Sequence, residues 1–343
     1  MLRCELKLYF LCNKCFRYGV NVSRYLFWQT KDSDTAVTLM PSIFKFPLEI
    51  EEKILNILAE DDEGHSELKI CSLVCQAFLP ICRKHIFENI VLNGYDLDLA
   101  CSATTLAFER LLRETPEIAD YIRKLDYSIR KTDLTSPSIQ ESLKRINRLE
   151  FLTFQNWESL NWSNNPIRPA LLHLLHLPTL SHFKATSIKD FFVSDLIPCV
   201  NLKYLEIGIK TSASAENTFP ATLPHPIQLE EFVAQSGSGD VIMKLCTARR
   251  PDGQPIIDFW SLSKITVGIE VSDDIEASQE LIRRCDNLTN VHITCKCYLH
   301  FDYQDFYRSL LYSPETTNCQ TQPRRHAAAI DADSEAHCRE YQC

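Results

Sequence analysis

The sequence predicts an α/β protein in which a small helical domain precedes a longer region where short strands alternate with helices. Three observations indicate this class. Apolar residues make up 45% of the 343 positions, which is enough for a sizeable core. Two amphipathic helical patterns lie close together between residues 46 and 81. A short strand-like pattern recurs from residue 122 to residue 296, and strands that alternate with helices are expected to be parallel.

The composition argues against several kinds of function. A formal net charge of −9 does not suit a protein that binds nucleic acid by neutralising phosphates, and eight glycines leave few positions for phosphate-binding loops. No stretch reaches the ~18 uncharged apolar residues of a membrane span, so neither nucleic acid nor a membrane is expected as a partner. The chain is too long for a small disulfide scaffold. Its 15 cysteines therefore indicate reduced thiols in an intracellular protein of the cytoplasm or nucleus.

The first helical pattern is FPLEIEEKILNIL, residues 46–58. Pro47 suits the start of a helix, and the glutamates that follow it suit the positive end of the helix dipole. Residues 1–42 show no sustained period and are left as an N-terminal extension of uncertain structure. The predicted apolar stripe of the helix consists of Ile50, Ile54, Ile57 and Leu58.

The second helical pattern contains an unusual group of cysteines, in the stretch CSLVCQAFLPICRKHIF from residue 71. A helix is predicted over residues 70–81, with Pro80 either ending it or opening the next helix in its first turn. Cys71, Cys75, Cys82 and His85 are the right types for a structural zinc site. However, the apolar residues between them would then have to be buried elsewhere, so the cysteines are predicted to pack as small apolar side chains and no metal is expected.

The order of these features resembles the F-box, a three-helix motif that docks on a Skp-type adaptor. The resemblance covers residues 46 to about 92: Pro-x-Glu-Ile, the apolar stripe, an acidic turn, and then Leu-x-x-Cys-Ser-Leu-Val-Cys. Phe46 stands where a leucine is commoner and Phe78 at the usual tryptophan position, and both keep a large apolar group. The F-box is assigned to residues 43–93. The resemblance implies that the adaptor is contacted by Phe46, Pro47, Ile50, Ile54, Leu73, Val74 and Phe78.

Beyond the F-box, seven segments share the pattern apolar-x-x-apolar-x-apolar. Successive segments start 22 to 33 residues apart, about 28 on average, which is the spacing of leucine-rich repeats. Residues 94–312 are therefore predicted to form an irregular leucine-rich-repeat-like solenoid of parallel strands plus helices, without the asparagine that usually follows the strand. Residues 313–343 are polar and aperiodic and are predicted to be disordered. The segments are IRKLDY at 122, LEFLTF at 149, LSHFKA at 180, LKYLEI at 202, LEEFVA at 229, LSKITV at 262 and LTNVHI at 288.

Helical patterns separate these segments. An early helix runs from about residue 102 to 114 and ends at the Thr115–Pro116 break, and QSGSGD around Gly237 is predicted to be a loop between repeats. The later helical runs are SIQESLKRI, PALLHLLHL, FFVSDLIPCV and ASQELIRRC.

Period-2 alternation assigns the two faces of the predicted sheet. The intervening polar positions either form a solvated sheet face or line the concave side of the solenoid, where a target protein would bind. The inward positions are Leu205, Ile207 and Ile209 in one strand and Ile265, Val267 and Ile269 in another. The predicted substrate contacts are Lys184, Glu206, Lys210, Glu270, His292 and Lys296.

No common catalytic or nucleotide-binding motif is present, so no catalytic residue and no cofactor are predicted. His173 and His176 in HLLH lie on one helical face, but no carboxylate or cysteine stands at ligand spacing beside them. They are therefore interpreted as exposed polar positions of a repeat helix.

Three functions remain open. The F-box resemblance implies a non-enzymatic substrate-recognition subunit of a cullin-type (SCF) ubiquitin ligase, which binds a Skp-type adaptor, through it a cullin scaffold, and an unidentified target protein. The arrangement as a whole is similar to the large F-box protein families of mushroom-forming fungi. The alternative is a non-catalytic leucine-rich-repeat scaffold with an F-box-like N-terminal cap. An enzyme would need perturbed titratable groups that converge in a pocket.

Overall fold

The computed structural model of the chain describes residues 47–61, 65–73, 76–92, 100–214 and 225–295. The chain divides into two compact units, with the boundary between Asn89 and Ile90. The predicted N-terminal extension and C-terminal tail lie outside the described residues, as do the individual positions Phe46, Val74, Cys75 and Lys296. Among the residues described, no helix has the length and apolar character needed to cross a membrane.

The described residues of the first unit form three helices around a small core. They are α1 (Leu48–Asp61), α2 (Ser66–Ser72) and α3 (Phe78–Ile86). Phe78 and Ile81 pack from α3 against the buried residues of this core. The buried core residues are Leu55, Leu58, Leu68, Cys71 and Cys82.

The helix predicted over residues 70–81 is wrong, because α2 ends at Ser72 and α3 starts at Phe78. Pro80 explains the break. In a continuous helix it would leave the Gln76 carbonyl without its N–H donor and would place its ring against that carbonyl. In the observed structure Pro80 lies in the first turn of α3, where no such donor is needed. The second of the two roles predicted for Pro80 is therefore confirmed.

The apolar stripe predicted for α1 is also shifted. Leu55 and Leu58 are the buried residues of this helix, whereas Ile54 and Ile57 are half-buried and Ile50 is exposed. Three residues advance a helix by nearly one turn, so Leu55 and Leu58 share a side, and this side faces the core. Ile50 therefore turns toward solvent.

The second unit is built on an eight-stranded sheet. Its strands lie side by side in the order β1 (Asn89–Leu92), β2 (Lys124–Ile129), β3 (Phe151–Asn161), β4 (His182–Lys189), β6 (Tyr204–Ile207), β9 (Glu231–Ala234), β11 (Lys264–Ile269) and β12 (Asn290–Cys295). Every pairing from β2 to β12 is parallel, which confirms the α/β class. Each of these seven strands begins two residues after the start of one of the seven predicted segments.

The seven parallel strands are stacked in register at their first residues. The carbonyl of Arg123, just before β2, accepts the backbone N–H groups of Glu150 (2.7 Å) and Phe151 (2.9 Å). The same pair of hydrogen bonds, from two successive backbone N–H groups to one carbonyl, recurs at the carbonyls of Glu150, Ser181, Lys203, Glu230 and Ser263. The variable spacing of the segments is therefore absorbed by the connections and leaves the strands aligned.

The connections supply helices and two short strand pairs, Phe191–Phe192 (β5) with Ala213–Ser214 (β7) and Ile227–Gln228 (β8) with Ile257–Asp258 (β10). The run FFVSDLIPCV was predicted as a helix but forms β5 and a single 3₁₀ turn, Val193–Leu196. Its repeat is the shortest of the six intervals, 22 residues, which leaves less chain for a helix between the strands. The α-helices are α4 (Ala100–Glu114), α5 (Lys131–Leu134), α6 (Pro137–Lys144), α7 (Arg168–Leu175), α8 (Gly239–Thr247) and α9 (Ser272–Arg283).

Buried aspartates accept hydrogen bonds from the backbone of these connections. Asp274 accepts the backbone N–H groups of Gly237 (3.0 Å), Gly239 (2.9 Å) and Glu270 (2.9 Å). Asp133 accepts the N–H of Arg130 at 3.1 Å in the connection after β2. Buried backbone N–H groups need such acceptors. In these connections the aspartates supply them, although the usual asparagine is missing.

Candidate functional site

The first unit leaves several large apolar side chains exposed, although it has a core of its own. The relative exposure of the residue is 46% at Ile50, 40% at Ile70 and 75% at Leu73, and Pro47 is exposed as well. These four residues are called the apolar helical surface below. Single exposed apolar residues are ordinary, but several on one small unit are a feature of interaction sites.

The helix ends determine this surface. Pro47 precedes α1, and its carbonyl accepts the N–H of Ile50 at 2.9 Å, so both residues lie in the first turn. Ile70 and Leu73 are three residues apart at the end of α2, where Leu73 is the C-cap. Because α2 ends at Ser72 and α3 starts at Phe78, Leu73 is not part of a continuous helix with Phe78.

The predicted adaptor contacts differ in their exposure. Pro47, Ile50 and Leu73 are exposed, Ile54 is half-buried, and Phe78 packs against the core of the unit. Phe46 and Val74 lie outside the described residues. Ile70 was not predicted as a contact, because the F-box resemblance assigned no contact at that position.

The cysteine-rich stretch does not form a metal centre in the described part of the chain. Cys71 and Cys82 are buried in the apolar core, and no group of three potential ligands occurs among the described residues. Burial raises the pKa of the Cys82 thiol to about 11, so it stays protonated at neutral pH. His85 forms a hydrogen bond of 2.7 Å to Asn56 of α1, and burial lowers its pKa.

The second unit offers a different surface, made by the alternate residues of its sheet and called the polar sheet face below. Its first cross-strand row contains three stacked rings. The centroids of Phe151 and His182 are 4.0 Å apart with 24° between the planes, and those of His182 and Tyr204 are 5.5 Å apart with 26°. Lys124 lies 4.8 Å from the Phe151 centroid. The row consists of Lys124, Phe151, His182, Tyr204, Glu231, Lys264 and Asn290.

Glu206 is the centre of the second row. Its carboxylate accepts Lys184 Nζ at 2.8 Å, Gln235 Nε2 at 3.1 Å and Tyr204 Oη at 2.8 Å, and its side chain is 11% exposed. Burial, followed by the Glu206 hydrogen bond, raises the pKa of Tyr204. The row consists of Asp126, Thr153, Lys184, Glu206, Val233, Thr266 and His292.

Three of the predicted substrate contacts therefore share one row: Lys184, Glu206 and His292. Two others are not on strands. Lys210 lies in a turn with φ 56°, because β6 ends at Ile207, and Glu270 follows the end of β11. The sixth, Lys296, lies outside the described residues.

The end of β6 accounts for the misplacement of Lys210. A Cβ at Gly208 would lie 2.2 Å from Thr186 Oγ1, so the Thr186 side chain takes the space that a larger residue at position 208 would need. β6 stops at Ile207 and Lys210 has left the extended region with φ 56°, so the alternation does not reach Ile209, which is predicted to face inward and is exposed. In β11, by contrast, Ile265, Val267 and Ile269 are all buried as predicted.

Sequence reasoning missed the stack of rings, although a signal for it exists. Phe151, His182 and Tyr204 are each the third residue of a repeated segment. Aligned segments place equal positions beside each other in a parallel sheet. Comparing the third letters of successive segments would have predicted the row.

His173 and His176 are not exposed polar positions, so that interpretation is wrong. Both are half-buried and reach backbone carbonyls, His173 Nε2 that of Ile146 at 3.1 Å and His176 Nε2 that of Asp195 at 2.9 Å. Their three-residue spacing lets one helix contact two other segments.

One cluster of titratable groups has the perturbation expected of an active site. Tyr127 donates to Asp133 at 2.9 Å, and burial raises the pKa of both residues. Tyr127, Asp133 and the nearby Glu109 are all buried. The carboxylates of Asp133 and Glu109 accept hydrogen bonds from hydroxyl and backbone groups of the chain itself. We therefore interpret the cluster as a hydrogen-bond network that stabilises the fold.

No protein-family model, characterised protein or solved structure matches the chain.

Proposed function

We propose that the protein is the substrate-recognition subunit of a cullin-type (SCF) ubiquitin ligase in the cytoplasm or nucleus. The first unit binds a Skp-type adaptor, and the adaptor links it to the cullin scaffold. The second unit binds a target protein. In this role the chain contributes binding surfaces and no catalytic residue or cofactor.

The observation that carries the proposal is the apolar helical surface. Pro47, Ile50 and Leu73 match F-box positions and are exposed, while the unit has a separate core around Leu55 and Leu58. Folding therefore leaves much of these side chains uncovered, 46% of the residue surface at Ile50 and 75% at Leu73. A partner helix or groove that covers them would supply the missing burial.

The second unit supports the proposal through its regularity. Parallel strands in register, each followed by a connection of variable content, are what a leucine-rich-repeat-like solenoid requires. Such an array presents one continuous face made of residues from every repeat. The polar sheet face has this character, and its row of Lys184, Glu206 and His292 is the proposed place of target contact.

Co-purification with a Skp-type adaptor tests the proposal. The Ile50→Ala, Leu73→Ala double variant removes two exposed anchors without touching the core. Truncating an interface anchor typically costs ~2 kcal/mol or more, roughly thirtyfold in affinity, so the double variant should lose the adaptor. Leu106→Ala is the matched control, because Leu106 is also an exposed leucine on a helix but lies in the second unit.

Circular dichroism must show unchanged helix content in both variants. Wild-type protein that fails to bind any adaptor, or a folded double variant that binds as tightly as wild type, would refute the proposal.

One observation favours a second candidate, a non-catalytic leucine-rich-repeat scaffold with an F-box-like N-terminal cap. The ring faces of Phe151, His182 and Tyr204 are already covered within the first row, and Glu206 has three donors from its own chain. The polar sheet face is thus also suited to holding repeats together. Failure of adaptor binding would favour this candidate.

A further inference from the structure

Two serine hydroxyls of the connection after β2 hold a buried carboxylate of α4. Ser136 Oγ donates to Glu109 Oε1 at 3.1 Å, and Ser138 Oγ donates to Glu109 Oε2 at 2.5 Å. The two hydroxyls are also 3.0 Å apart. Glu109 is 4% exposed, so these bonds satisfy a charge that water hardly reaches.

Ser136 has features of a modification site besides this contact. It precedes Pro137, and the flanking Thr135 and Pro137 are exposed while Ser136 itself is half-buried. Serine followed by proline is the dipeptide that proline-directed protein kinases require. Ser136 also stands at the N-cap of α6 but makes no capping bond with its side chain, because its hydroxyl is directed to Glu109.

We infer that Ser136 is a phosphorylation site and that its modification releases α4 from the connection after β2. In the reaction, Ser136 Oγ forms a bond to the γ-phosphorus of ATP while the bond from that phosphorus to the bridging oxygen breaks. ADP leaves, and the hydroxyl proton passes to a base of the kinase.

The release follows from charge and from a lost donor. The phosphate carries about −1.5 to −2 charges at neutral pH, and it would stand where a hydroxyl now donates to the Glu109 carboxylate. A second buried carboxylate, Asp133, lies three residues before Ser136 in the same connection. Like charges in a weakly solvated site repel strongly, so the contact between α4 and the connection opens.

The same geometry regulates the modification. Ser136 must leave Glu109 before it can enter a kinase active site. A variant that weakens the contact, Glu109→Ala, should therefore be phosphorylated faster than wild type, provided that it is folded.

The experiment treats the full chain with a proline-directed kinase and ATP, maps the site by mass spectrometry, and follows amide hydrogen exchange in α4. We expect phosphate on Ser136 and at least about tenfold faster exchange in α4. In the Glu109→Gln variant, which is neutral and keeps the shape of the side chain, phosphorylation should accelerate exchange far less. Thr115→Val removes another residue followed by proline and should leave the result unchanged.

Two results would overturn the inference. One is an unmodified Ser136 in both wild type and folded Glu109→Ala, under conditions in which the kinase modifies a peptide containing TSPS. The other is phosphorylated wild type whose α4 exchanges as slowly as before. Ser136→Glu provides a second route if modification is incomplete: it should speed exchange in α4, and combining it with Glu109→Gln should reverse most of that effect.

Discussion

The apolar helical surface of the first unit and the polar sheet face of the second unit differ in whether their side chains already have partners. On the apolar helical surface, Pro47, Ile50, Ile70 and Leu73 are exposed, beside a small buried core. On the polar sheet face of the second unit, rings stack on rings, and the central carboxylate has three donors. Exposed apolar groups gain by binding a partner, whereas paired polar groups contribute first to the stability of the array.

This contrast separates stability from recognition. A substitution in the apolar helical surface should change binding and leave folding alone. A substitution in the centre of the polar sheet face should change folding before any target is considered.

The largest expected effect is on the unfolding free energy of the first unit, where a core residue is compared with a residue of the apolar helical surface. Leu55→Ala removes a fully buried side chain and should cost about 2–5 kcal/mol of unfolding free energy, because a cavity adds to the lost transfer free energy. Leu73→Ala should change the same quantity by less than about 0.5 kcal/mol. Urea unfolding followed by circular dichroism gives both numbers. If Leu73→Ala were as destabilising as Leu55→Ala, the apolar helical surface would be part of the folding core.

A smaller effect is expected at Glu206. Replacing it with alanine leaves Lys184, Tyr204 and Gln235 without their shared acceptor, and a buried group that loses its partner costs about 1–3 kcal/mol. Glu231→Ala is the matched control, since the Glu231 side chain is 38% exposed and lies 3.8 Å from Lys264. An exposed ion pair of this kind contributes about 0–1 kcal/mol. Equal losses in the two variants would mean that Glu206 is not the centre of its row.

The strand positions could be predicted because burial imposes a period of two on each segment. Leu125, Leu205 and Ile265 recur in the same place of their segments and are all buried. Each segment carries this signal by itself, so irregular spacing did not obscure it.

Other features depend on contacts that no single segment contains. β6 ends at Ile207 and the backbone has left the extended region at Lys210, which is why Lys210 and Ile209 were misplaced. The stack through His182 depends on which residues are neighbours across strands, and the end of α2 at Ser72 was not part of the predicted helix. In each case local pattern predicted the element, and tertiary contact determined its limits or its neighbours.

The smallest expected effect is the pH dependence contributed by His182. Burial is the main cause that lowers its pKa; Glu231, Glu230 and Glu150 oppose this, while Lys124 adds to it. A pKa that is lower in the folded state than in the unfolded state means that the unfolded chain binds the proton more readily. The contribution to stability is therefore complete above the unfolded value of about 6.5 and decreases as the pH falls toward the folded pKa.

His182→Phe keeps a ring in the stack but cannot take up a proton, so it should lose less stability than wild type between pH 7.5 and pH 5.0. Urea unfolding at several pH values measures this through tryptophan fluorescence, in a chain whose other three tryptophans are replaced by phenylalanine. Trp162 is kept because it is fully buried in the second unit. His85 of the first unit has a pKa lowered in the same direction, so a probe inside the second unit is needed. His292→Phe is the matched control for the substitution itself, since it replaces an exposed histidine of the same polar sheet face with phenylalanine. If His182→Phe and wild type lost stability equally over this range, burial of His182 would not disfavour the proton, and its half-buried position in the first row would have to be revised.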